Sequence, residues 1–182
     1  MPLLNTLTTP YAEAFLQVCD ANGNTDSVID EVRAVRDLWS ESDELREALA
    51  SPVLEVESKK AVIEKLFSGK ISTPFLNLLK LLADRQRIGI ADAVLERLLE
   101  IYREQNKIAL ARVTSASPLS EEQTALLAEK AKQVAGTDKV EILQDVDPSL
   151  IGGFQLSVGS RVIDASLSGQ DRRLGLSLAK VA

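Results

Sequence analysis

Residues 150–170 read LIGGFQLSVGSRVIDASLSGQ. Phe154, Leu156 and Val158 alternate with Gln155 and Ser157, the period-two pattern of a strand with one face on a core and one polar. Gly159-Ser160 then fits a two-residue type II′ turn, whose first central position needs positive φ. The chain returns as a second strand through Arg161 to Ala165. Gly152-Gly153 precedes the first strand with no helix N-terminus after it to face an anion, so the pair makes a poor phosphate loop. Asp164 and Ser166 resemble a catalytic pair, but the 182-residue chain contains no histidine to act as base. Their expected role is to satisfy backbone groups where strand passes into helix.

Working towards the N-terminus, the same α/β pattern continues back to about residue 106. Ile108 to Thr114 and Lys139 to Gln144 read as strands. Between them Ser120-Glu121-Glu122-Gln123 is a capping box opening a helix that runs to Ala135 and stops at Gly136. A last helix is expected from about Ser168. Strand, helix, three strands and helix form a small α/β domain over residues 106–182.

Before Asn106 the period is 3.6. Tyr11, Ala14, Phe15 and Val18 mark a first helix, with Thr9 as N-cap and Pro10 at its first position. Asn22-Gly23-Asn24 breaks it. Val28, Ile29, Val32, Val35 and Trp39 mark a second, and a short third runs from Asp43 to Ala50. Val62, Ile63, Leu66 and Phe67 mark a fourth, closed by Gly69. Phe75, Leu78, Leu79 and Leu82 form the core stripe of a fifth, and Val94, Leu95, Leu98 and Tyr102 belong to a sixth. Short connections between six helices imply an antiparallel bundle over residues 1–105. The expected fold is mainly α, with a second, α/β domain.

Composition narrows the chemistry. With 27 acidic and 21 basic side chains the net charge is −6, which repels nucleic acid. Without histidine, and with Cys19 as the sole cysteine, the commonest general base, the Ser-His and Cys-His pairs and the usual zinc ligands are missing. No catalytic residue, metal or cofactor is expected. No apolar run approaches the ~20 residues that span a bilayer, and helical patterning beginning just after Met1 leaves no room for a cleavable leader, as expected of a bacterial chain or a processed organellar one.

The residues also carry a resemblance. LIGGFQLSVGSRVIDASLSGQDRRL, residues 150–174, resembles the C-terminal signature of the delta subunit of F-type ATP synthases, the mitochondrial oligomycin-sensitivity-conferring protein. Its elements are Gly152, Gly153, Gly159, Asp164 and Ser166, then a helix with paired basic residues and leucines. TPYAEA at residues 9–14 is similar to that family's first helix, and NLLKLLADRQRI at 77–88 to its fifth. The match is ordered along the whole chain, and the signature looks most like cyanobacterial or plastid members. One departure is Asp171, where the family has leucine; it falls on the stripe of Leu167, Leu174 and Leu178, and has capping-box spacing from Ser168.

The resemblance implies a subunit that does no chemistry. It would link the catalytic head to the peripheral stalk at the cytoplasmic or stromal face of an energy-transducing membrane, a cyanobacterial thylakoid being favoured. Membrane association would come only through the complex, with one copy in each. The first domain would receive the N-terminal helix of an alpha subunit in a groove between the first and fifth helices, where Tyr11, Ala14, Asn77, Leu81 and Asp84 occupy matching positions. The second would meet the b subunits. The competing readings are a small phosphate-binding α/β enzyme using Gly152-Gly153 and an unrelated acidic adaptor.

Overall fold

A computed structural model describes residues 2–51 and 53–167. Over these the chain is mostly helical, with one small four-stranded sheet. It divides into two compact units, the first ending at Tyr102 and the second starting at Arg103.

The first unit holds α1 (Pro2–Asn22), α2 (Thr25–Glu41), α3 (Asp43–Ala50), α4 (Val56–Phe67), α5 (Thr73–Asp84), a 3-10 turn at Ile88–Ile90, and most of α6 (Ala91–Asn106). Glycines with φ of +66° at Gly23 and +74° at Gly69 stop α1 and α4, a backbone region where a Cβ is penalised. Each helix buries a 3.6-period stripe: Val28, Ile29, Val32, Val35 and Trp39 on α2, Phe75, Leu78, Leu79 and Leu82 on α5, and Val94, Leu95, Leu98 and Leu99 on α6. Phe15 of α1 meets Phe75 of α5 with ring centroids 5.8 Å apart. The Tyr102 hydroxyl of α6 donates to Asp26 of α2 at 2.7 Å. On α4 only part of the expected stripe is core: Ile63 and Phe67 are buried, whereas Val62 and Leu66 stay partly exposed.

Two helix starts depart from local rules. Thr9 does not cap α1 and Pro10 does not open it; the helix begins at Pro2 and carries Pro10 inside. Pro10 removes one backbone donor, but burial of Thr8 and Ala12 on either side holds the turn in place, and the Thr9 hydroxyl accepts from Arg97 Nε of α6 at 3.2 Å instead of capping. At α5 the Ser72 side chain makes no cap bond. Its backbone N–H donates instead to Glu31 Oε2 of α2 at 2.7 Å, placing a carboxylate where the helix dipole favours one.

The second unit contains β1 (Ile108–Ser115), α7 (Glu121–Ala135), β2 (Lys139–Val146), β3 (Phe154–Val158) and β4 (Arg161–Asp164). The sheet order is β2-β1-β3-β4. β1 runs parallel to β2, joined through α7 as a crossover requires, and antiparallel to β3, which pairs antiparallel with β4. Alternate residues Ala111 and Val113 of β1, with Leu156 and Val158 of β3, pack on Leu127 and Ala131 of α7. The Ser120–Gln123 capping box is formed in both directions, and Gly136 ends α7 in the left-handed region. Arg103, at the end of α6, pairs with Glu141 of β2 at 3.0 Å, both side chains largely buried. The expected C-terminal helix from Ser168, with Asp171, Leu174 and Leu178, lies outside the described residues.

Candidate functional site: an apolar groove between two helices

α1 carries two helical lines. Ala12, Phe15, Leu16 and Cys19 are buried. Tyr11, Ala14 and Val18, spaced i, i+3, i+7, face outwards: Tyr11 is half-buried, and Ala14 and Val18 are exposed. α5 repeats the arrangement, with Asn77 and Leu81 outside its buried stripe. Where the outer lines of α1 and α5 meet, they border an open groove of about 560 Å³ lined by Pro10, Tyr11, Ala14, Phe15, Val18, Pro74, Asn77, Leu78 and Leu81. Phe15 and Leu78, both core residues, also line it. The Tyr11 hydroxyl accepts from Arg87 Nη1 at 3.0 Å, so the ring on one wall is held at both ends.

Four of the five residues expected here, Tyr11, Ala14, Asn77 and Leu81, do share this groove. Asp84 does not. It lies one turn beyond Leu81, facing α4, where its carboxylate is paired with Lys60 and raises that ammonium above its ordinary value, chiefly through the hydrogen bond. The spacing from Leu81 to Asp84 is as compatible with one side of α5 as with the other, and only the position of α4 decides. Val18 and Pro74 were missed, although they continue the lines 11–14–18 and 74–77–81.

The glycine pair is closed by its own chain. Gly153 has φ +80°, and a Cβ there would stand 2.3 Å from the Ala165 carbonyl oxygen; one on Gly152 would stand 2.8 Å from Leu167 Cδ1. The space a phosphate would need is taken by residues 165–167. Gly159 has φ +58° while Ser160 is not among the residues of positive φ, as a type II′ turn requires. Asp164 Oδ1 accepts from both the backbone N–H and the hydroxyl of Ser166, at 3.0 and 2.6 Å. That closes a local turn, with Ser166 buried. Cys19 is buried too, and burial first, then the charges of Asp20 and Glu31, push its thiol up. Among the described residues no three His, Cys, Asp or Glu side chains converge as a metal site, and no helix is long and apolar enough to cross a membrane.

Fold and groove together define a class: a largely helical protein with a small mixed sheet, carrying an open apolar groove between two of its helices. The chain belongs to the ATP synthase delta (OSCP) subunit family, whose pattern it matches over residues 7–178. It is 64% identical over 182 residues, the whole of both chains, to the ATP synthase subunit delta of Prochlorococcus marinus strain MIT 9303. It is 62% identical over 181 residues to that of strain MIT 9211. A chain in the cryo-EM structure of the Toxoplasma gondii mitochondrial ATP synthase hexamer shares the fold, with a TM-score of 0.72 over 95% of this chain and 97% of that one at 23% identity. The chain is thus a non-catalytic stator component of an F-type ATP synthase.

Proposed function

We propose that the α1/α5 groove is the head-binding surface of this stator subunit and receives the amphipathic N-terminal helix of an alpha subunit. The observation that carries the reading is the pair of outward lines on α1 and α5, which leave an apolar trough bordered by Leu81, 42% exposed, outside a complete core stripe. A stator link must dissociate slowly under load, which favours apolar docking over exposed ion pairs. In this reading residues 1–105 act as an antiparallel six-helix bundle on the head. Residues 106–182 meet the b subunits of the peripheral stalk. One copy serves each complex, at the cytoplasmic face of a cyanobacterial thylakoid, and contact with the membrane comes only through the other subunits.

Leu81→Asp is the test. It puts a charge in the groove without touching Phe75, Leu78, Leu79 or Leu82. Titration with a synthetic peptide of the alpha-subunit N-terminus should show binding weakened by more than about 1 kcal/mol, with the melting temperature nearly unchanged. Normal binding would show that the groove is misplaced; unfolding would show that Leu81 is core.

A further inference from the structure

Beside the apolar groove lies a second trough of different chemistry. It is lined by Glu57, Lys60, Ala61 and Glu64 of α4 and by Asn77, Lys80, Leu81 and Asp84 of α5. Both sets are spaced i, i+3, i+4, i+7, so each is one face of its helix, and the two faces confront each other. Asn77 and Leu81 line both troughs. They are therefore the ridge between them, and a helix seated in the first must lay one flank along the second.

The second trough carries three acids, Glu57, Glu64 and Asp84, against two bases, Lys60 and Lys80. Lys60 pairs with Asp84 and, at 3.5 Å, with Glu57; Lys80 pairs with Glu64 at 3.2 Å. The acids of these pairs are about half exposed or more. Exposed pairs hold weakly, so an incoming charge exchanges with them readily. One acid in excess, on a chain of net charge −6, sets the sign of the charge that is welcome.

We infer that this α4/α5 strip is the specificity rim of the groove and that it reads basic side chains on the flank of the docked helix, next to its apolar face. The inference rests on the docking proposed above. Rim charges of this kind set association rate and partner choice more than the depth of binding.

The experiment uses the full chain, the synthetic alpha-subunit N-terminal peptide and four single variants. Glu64→Gln and Asp84→Asn remove acids and should weaken binding roughly threefold each; Lys60→Gln and Lys80→Gln remove bases and should strengthen it by a similar factor. Wild-type binding should weaken as salt rises from about 50 to about 500 mM. Thermal melts of all four confirm that the fold is kept. Binding that falls with Leu81→Asp but ignores the four charge changes, or shifts with the opposite sign, overturns the rim and leaves the groove standing. No binding by the wild-type chain overturns the groove reading and the rim with it.

Discussion

At the scale of single residues, Gly153 and Gly159 separate two uses of positive φ. Gly159→Ala meets open space and should cost about 1 kcal/mol from backbone strain alone. Gly153→Ala drives a methyl into the Ala165 carbonyl and should cost more than about 2 kcal/mol. Urea denaturation of the two variants ranks them, and equal costs would mean that residues 165–167 give way. A second prediction concerns pH. The Cys19 thiol and the Tyr102 phenol are both raised, first by burial, and Tyr102 then by its bond to Asp26. Each keeps its proton in the folded chain at a pH where the unfolded chain loses it. Stability from these groups is therefore complete below the ordinary thiol value of 9.0 and is lost as pH climbs, from the thiol past 9.0 and from the phenol past its ordinary 10.0. The urea midpoint should fall between about pH 8 and about pH 11 (from about one unit below the thiol value to about one above the phenol value), and should fall less in the Cys19→Ala, Tyr102→Phe double variant.

Among the elements, α5 inverts the usual capping rule. Ser72 sits at its N-cap, yet its buried hydroxyl has no partner among the described residues, while the capping carboxylate comes from Glu31 of α2. Ser72→Ala should therefore be neutral or stabilising, and Glu31→Ala should cost about 1–2 kcal/mol; thermal melts of both check the inversion. For α7 the ordinary rule holds, and Ser120→Ala should cost about 1 kcal/mol. The difference explains what could be read in advance. The α7 box is written within four consecutive residues, and the β3–β4 turn within two, so local pattern suffices. Glu31 is 41 residues from Ser72, and no local pattern joins them. Pro10 misled for a related reason: its N1 preference is real, but burial on both sides outweighed it. In the groove, Tyr11, Ala14, Asn77 and Leu81 were legible as helical lines. Asp84 was not, because the side it faces depends on Lys60, on another helix.

For the whole molecule, the change of hydrophobic period near Asn106 was the readable sign of organisation. The division between Tyr102 and Arg103 falls within α6, where the helical pattern continues unbroken and offers no local mark. If the units unfold separately, Trp39, the single tryptophan and a buried residue of α2, reports only the first. Gly153→Ala should then lower a far-ultraviolet circular-dichroism transition while the Trp39 emission transition stays where it was; a joint shift would mean one cooperative body. The sheet order carries a further consequence, in time rather than energy. β1 occupies an inner position, yet its neighbours β2 and β3 are made later, and β3 ends at Val158. At ribosomal speeds the interval from Ser115 to Val158 is roughly two to nine seconds, during which β1 lacks at least one neighbour, β2 being complete only at Val146 and β3 only at Val158. All the groove residues precede it on the chain. In the proposed function a nascent subunit thus presents a finished docking surface while its sheet is still awaiting strands.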